Sequence, residues 1–200
     1  MVYNKLYIRI AAAGNFDEKF LIDFQKELQS LLWDTLGINA SCYYNVSNSG
    51  GIPIYKIPPT AYTPHVGKYN TQSLFVFGKQ RREESLKKFG KAEVLLKVLV
   101  LVDFEIYRSG FAGTLFGEAE VGGEIAIVTT APLENHFKSS FLIKERALKE
   151  ALHELGHTLG LDHCKVPGCA MNISKDIYDI DEKKKTYCKT CLNKLFGGYT

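Results

Sequence analysis

Two hundred residues, 46% hydrophobic and 24% charged, make a chain long enough for one domain with a sizeable core and a smaller appendage. A formal charge of +3 at pH 7 is too small to point to nucleic acid or a lipid surface as the principal partner. No stretch approaches the ~18–20 uninterrupted apolar residues of a membrane helix. The N-terminal MVYNKLYIRIAAAGN ends in small residues, as a signal cleavage site would. Lys5 and Arg9 interrupt its apolar stretch, however, and Tyr7 to Ile10 alternate like a strand. A cytoplasmic location is therefore expected, with no room for a long pro-segment ahead of the first core strand.

Residues 4–13 read as that strand. DEKFLIDFQKELQSLLWDTLG (17–37) is an amphipathic helix: Phe20, Phe24, Leu28, Leu31 and Leu32 recur at helical spacing. Asn15 or Asp17 caps its start and Gly37 stops it. A second strand is expected at about 38–46, with Cys42 a buried core thiol. The Gly-, Pro-, Ser- and Asn-rich stretch 47–70 reads as a long loop in which His65 is a surface histidine. RREESLKKFG (81–90) is a short charged helix, and AEVLLKVLVLVDF (92–104) an interior strand. FGEAEVGGEIAIVTT (116–130) is a hairpin turning at Gly122 and Gly123. A final long helix covers about 139–160, with Leu148, Leu152, Leu155 and Leu159 in one buried stripe. This order gives an α+β domain followed by a short, loop-rich appendage. The lysines of DEKKKTYCKTCLNK (181–194) read as a solvated surface.

Chemistry concentrates in HELGHTLGLDHCKVPGCAM, residues 153–171. Positions i and i+4 of a helix lie one above the other, ~6 Å apart. His153 and His157 can therefore each place a ring nitrogen ~2.0–2.1 Å from one zinc ion. Glu154 is one step round the helix, within reach of a zinc-bound water but poorly aimed as a ligand. On a continued helix His163 would lie ~15 Å from His153. Gly160 is where the chain can turn back, because glycine accepts the left-handed conformation that ends a helix. Three histidines leave a fourth position open, the catalytic type of zinc site.

Cys164, Cys169, Cys188 and Cys191 fall in the last fifth of the chain. In a reducing compartment such a cluster binds metal rather than forming two disulfides, the competing reading. Four thiolates make a closed, structural zinc site. Two zinc ions are thus expected, His163 completing the open site and Cys164, facing away, beginning the closed one. An appendage of this size buries little core, so metal binding must supply much of its folding free energy.

On these residues the sequence resembles the archaemetzincin family of metzincin-clan zinc metallopeptidases, whose signature runs HExxHxxGxxHC-x4-C-x-M and ends in CxxC. Residues 153–171 and 188–191 carry every signature residue; 115–130 and 171–188 match less tightly, and 1–90 mainly in element order. The resemblance implies a zincin-like fold: a mixed twisted sheet, a backing helix and an active-site helix in residues 1–160. A small zinc-stapled subdomain would follow in 161–200. It implies His153, His157 and His163 on the catalytic zinc, Glu154 as base, and Cys164, Cys169, Cys188 and Cys191 on the structural zinc. Met171 would be the Met-turn residue, an apolar floor under the metal. Two departures stand out. TAPLEN (130–135) replaces an arginine-leucine pair after the edge strand, and Ile173 stands where some metzincins carry a tyrosine.

The function expected is hydrolysis of peptide bonds by a zinc-bound water that Glu154 activates. The substrate is a peptide or protein, added as a strand at the sheet edge within 118–130. No membrane or nucleic-acid partner is expected, and the chain is expected to be a monomer. Two alternatives are a zinc-organised binding module whose cysteine knuckle contacts protein or nucleic acid, and a latent protease with a blocked cleft.

Overall fold

A computed structural model of the chain describes residues 5–45, 51–89, 94–134 and 139–197. In chain order the elements are β1 (Lys5–Ala13), α1 (Glu18–Leu36), β2 (Asn39–Tyr43), β3 (Tyr62–Thr63), β4 (Lys68–Asn70), α2 (Thr71–Phe89), β5 (Leu95–Val102), β6 (Ile106–Tyr107), β7 (Gly117–Ala119), β8 (Ile125–Thr129), α3 (Ser140–Thr158), α4 (Ile177–Glu182) and α5 (Lys189–Phe196). Parts of the expected elements at 4, 46, 47–50, 90, 92–93 and 135 lie outside the described residues.

The main sheet has the order β2-β1-β5-β8-β7. Its first four strands run parallel, and β7 returns antiparallel on β8, pairing Gly117 with Val128 and Ala119 with Ala126. Parallel interior strands are buried on both faces and so need apolar residues at every position. Seven of the eight residues of β5 and all five of β8 are buried accordingly. Leu99, Leu101, Ala126 and Val128 face α1 and α3, whereas Val98, Val100, Ile125 and Ile127 face α2. The mixed α+β architecture is as expected, with a third long helix covering the opposite face.

Helix α1 begins at the Asp17 cap and ends at Gly37, whose φ of 63° is left-handed. Cys42 is buried as expected, and burial pushes its thiol up to about 12. The charged helix expected at 81–90 is longer than its charges indicate. It starts at Thr71 and buries Leu74, Phe75 and Phe77. Gly78 lies inside this helix although glycine weakens helices by ~1 kcal/mol relative to alanine. Here the helix rests so closely on the sheet that a Cβ would overlap Ile125 Cγ2 at 2.5 Å. Arg9, fully buried on β1, donates to Glu84 Oε2 (2.9 Å), Ser85 Oγ (3.1 Å) and Tyr55 OH (2.9 Å), so α2 is also pinned by charge. The loop expected over 47–70 holds a short 3-10 turn at Pro59–Ala61 and the strands β3 and β4, which with β6 form a second small sheet. His65 is exposed.

Candidate metal centre

Helix α3 starts at the Ser139 cap, whose hydroxyl accepts from the Leu142 N–H. Leu148, Leu152 and Leu155 are fully buried, and Leu159 packs at the margin of the same core. That stripe turns His153, Glu154 and His157 towards a cleft of about 480 Å³, also walled by Phe116, Ile173 and Ser174. Past the helix end Gly160 adopts φ 98°, and the Leu161 N–H donates back to the Gly156 carbonyl at 3.0 Å. The reversal expected at Gly160 thus brings His163 to the other two. Its ring centroid lies 5.3 Å from that of His153 and 4.8 Å from that of His157. One ligand nitrogen from each histidine falls within 4.8 Å of the others.

The hydrogen bonds define which nitrogens are available. His153 Nδ1 lies 2.8 Å from the Ala170 carbonyl and His157 Nδ1 2.7 Å from the Leu161 carbonyl. A carbonyl oxygen only accepts, so both Nδ1 atoms carry hydrogen and both Nε2 atoms present bare lone pairs. Those two Nε2 atoms face each other at 3.2 Å. Two lone pairs at that distance repel unless a cation lies between them. Tetrahedral zinc with ~2.0–2.1 Å bonds would hold its nitrogens ~3.3 Å apart, so the residues fit the metal. Burial pulls the His153 pKa well below the usual imidazole value, with the Lys183 charge as the second cause; burial also lowers His157 and His163. All three rings favour the neutral, ligating form. His163 is exposed, which opens the cluster to the cleft.

Glu154 is buried, and that burial raises its carboxyl pKa well above the ordinary glutamate value, Glu150 being the next contributor. The room for this carboxylate comes from the edge strand: a Cβ on Gly117 would sit 2.6 Å from Glu154 Oε1. Met171 is fully buried. A Cβ on Gly156, between His153 and His157, would overlap Met171 Sδ, so α3 approaches residue 171 only because position 156 lacks a side chain.

Cys164, Cys169, Cys188 and Cys191 form the second cluster, all four sulfurs within 4.8 Å of one another. Cys164 and Cys188 are 3.7 Å apart, Cys169 and Cys191 3.8 Å, and every thiol is free. Those separations are well beyond the ~2.05 Å of a disulfide bond and fit zinc, whose ~2.3 Å bonds to sulfur place tetrahedral thiolates ~3.8 Å apart. Burial works against ionising Cys188, but the Cys191 backbone N–H and the neighbouring thiols bring it down to about 7. The two clusters share backbone. His163 adjoins Cys164, and Ala170, whose carbonyl orients His153, adjoins Cys169.

In the lysine-rich tail Lys184, Lys189 and Lys194 are exposed, as expected, but Lys183 and Lys185 depart from the solvated surface. Lys183 is buried and donates to the buried Glu150 at 2.8 Å. Lys185 pairs with Glu145 (2.9 Å), Arg146 grips Asp181 with two bonds (2.8 and 2.7 Å), and Lys149 donates to the Ile180 and Asp181 carbonyls. This strip clamps residues 180–185 against α3. Tyr187, also buried, donates to the Leu152 carbonyl at 2.7 Å. Glu150, Lys183, Gly117, Gly156 and Tyr187 were not legible as site residues, since no local spacing marks them. Leu133, within the divergent 130–135 segment, is buried and its carbonyl accepts from Arg146 at 2.8 Å. Ile173 is 56% exposed at the cleft wall, where it offers no hydroxyl.

Residues 62–196 match the family model described as Peptidase family M54. An archaemetzincin from Methanocaldococcus jannaschii is 36% identical over 148 residues, covering 72% of this chain and 75% of that one. An archaemetzincin from Pyrococcus furiosus is 43% identical over 104 residues, covering 50% of this chain and 54% of that one, so the matched part spans about half that relative. The crystal structure of an archaemetzincin from Methanopyrus kandleri superposes with a TM-score of 0.73 at 26% identity, covering 98% of this chain and 95% of that one.

Proposed function

Because this chain belongs to peptidase family M54, the archaemetzincin family, we propose that it hydrolyses peptide bonds as a zinc-dependent metallopeptidase. His153, His157 and His163 are assigned as ligands of a catalytic zinc, Glu154 as the base, and Met171 as the floor of the site. Cys164, Cys169, Cys188 and Cys191 are assigned to a second, structural zinc. The chain is divided at Gly160 into a sheet-bearing subdomain, 1–160, and a metal-stapled one, 161–200. The single observation that carries this reading is the pair of bare Nε2 atoms facing each other at 3.2 Å, beside a third histidine and a buried carboxylate.

Zinc bound there would polarise the scissile carbonyl, acidify the attacking water and stabilise the oxyanion. Glu154 takes the proton of that water and delivers it to the leaving amine. The burial that raises its proton affinity suits a group that must hold a proton briefly and release it. A substrate strand adds at the outer edge of β7, Gly117–Ala119, because β8 lies inside the sheet between β5 and β7. Gly117 and Ala119 keep that edge low beside Glu154. Among the described residues no helix is long and apolar enough to cross a membrane. The cytoplasmic placement belongs to this proposal, because four cysteines held by a metal suit a reducing compartment. A nucleic-acid role is no part of this proposal: the net charge is only +3, and two of the five lysines of 181–194 are engaged within the molecule.

Glu154→Gln should cut peptide hydrolysis by about 10²–10⁴-fold, the usual contribution of a general base, while elemental analysis still finds two zinc ions per chain. Undiminished hydrolysis by that variant would overturn the assignment of Glu154. A single, sulfur-bound zinc in the wild type would overturn the histidine site.

A further inference from the structure

The Lys183 ammonium lies 2.8 Å from Glu150 Oε1 and 3.5 Å from His153 Nδ1. His153 Nδ1 already carries the hydrogen it gives to the Ala170 carbonyl. The approach of Lys183 to the ring is therefore donor to donor, and it makes no bond as the ring now stands. The other neutral tautomer, bare at Nδ1, would accept from Lys183, and its hydrogen would then sit on Nε2, the atom turned towards His157. A lysine with three donors next to this imidazole is thus a standing competitor for the wrong tautomer. What draws it away is the Glu150 carboxylate. That group is itself held by Ser174 Oγ at 3.2 Å and is buried with Lys183, their side chains being 4% and 1% exposed.

We propose that Glu150 is a positioning residue: by engaging Lys183 it keeps His153 in the tautomer whose Nε2 can bind a metal ion. This rests on the reading of His153 as a zinc ligand. It gives a role to two buried charged side chains that the hydrolytic steps do not use. Glu150 lies three residues before His153, one turn earlier on α3, so carboxylate and imidazole keep their spacing through the helix itself. Lys183, at the end of α4, arrives from the clamped tail. The ion pair therefore couples the docking of the tail to the state of the ring.

The test compares Glu150→Met, Lys183→Met and the double variant, following the imidazole nitrogens of His153 by ¹⁵N NMR during zinc titration. The metal-free wild type should show hydrogen at Nδ1. Glu150→Met leaves Lys183 with His153 as its nearest acceptor, so the hydrogen should move to Nε2 and zinc affinity at the histidines fall by about 10–100-fold, as for other groups that orient ligands. Lys183→Met removes the competitor, and both tautomer and affinity should stay as in the wild type although the ion pair is gone. The double variant should recover the affinity that Glu150→Met loses.

A merely structural ion pair predicts equal losses from the two single variants, and that result overturns the proposal. Hydrogen at Nε2 in the metal-free wild type also overturns it, and needs no variant to fold. A wild type with hydrogen at Nδ1 that takes no zinc at its histidines would refute the metal assignment, and the tautomer of Glu150→Met would then decide the proposal by itself.

Discussion

Strand β5 and the segment after Gly160 solve the same problem, staying folded, with different means. From Leu96 to Val102 every residue is buried, on both faces of the sheet, and Lys97 is the only one that carries a charge. From Leu161 to Gly197 only a handful of apolar side chains are buried, among them Leu161, Met171 and Ile180, beside four clustered thiols and a strip of ion pairs to α3. Burial at about 25 cal/mol per Å² holds a sheet core without help. A segment of under forty residues reaches too little apolar area for that, so ligand bonds and charges must substitute. The candidate site therefore draws in part on the weaker partner. His163, Ala170 and Met171 all come from the C-terminal segment.

The sharpest way to break this comparison is to remove metal. Structural zinc in small domains carries about 10–16 kcal/mol of apparent binding free energy. After chelation at neutral pH, amides of residues 164–191 should exchange freely while those of 95–102 stay protected. Exchange of both regions together would show one cooperative unit and end the contrast. Next in size is a matched pair of variants. Leu101→Ala should cost about 2–5 kcal/mol with or without zinc, whereas Cys191→Ser should cost stability only while zinc is present.

Glu154 offers a test with the opposite sign. Its folded pKa is raised above the ordinary 4.5, mainly by burial. Stability from this group is therefore intact below 4.5 and declines as pH rises through the raised value. Metal-free Glu154→Gln should accordingly melt higher than the metal-free wild type at neutral and alkaline pH, with the gain vanishing towards pH 4.5. A gain that instead grew on acidification would contradict the buried carboxylate.

Smaller effects sharpen the seam between the regions. Gly156→Ala forces Met171 aside and should cost about 1–3 kcal/mol, as overpacking does, together with zinc affinity at the histidines. Tyr187→Phe removes one buried hydrogen bond to Leu152 and should cost about 0.5–1.5 kcal/mol. Differential scanning calorimetry of the zinc-loaded protein reads both.

Legibility followed the range of each interaction. The i, i+4 histidines, the leucine stripe of α3, the Asp17 and Gly37 caps and the hairpin at Gly122 are local patterns, and each lies where its spacing indicates. The first half of α2 carries no charge pattern like that of 81–90, and its Gly78 makes sense only against the sheet it touches. Arg9 interrupted an apolar strand for no visible reason, since Glu84 and Ser85 approach it from 75 residues or more away. Lys183 and Lys185 read as solvated because their carboxylates lie 33 and 40 residues upstream, on α3.

By itself the sequence placed His153 and His157 on one helix and marked Gly160 as the point where the chain returns towards His163, because helical period and backbone conformation act over a few residues. Only the tertiary structure decided which imidazole nitrogens stay bare, where Lys183 finds its counter-charge, and why Gly117 and Gly156 must lack side chains. Those outcomes depend on carbonyls, sulfurs and carboxylates delivered by distant segments, and no local pattern encodes the distance between two surfaces that meet only when the chain is folded.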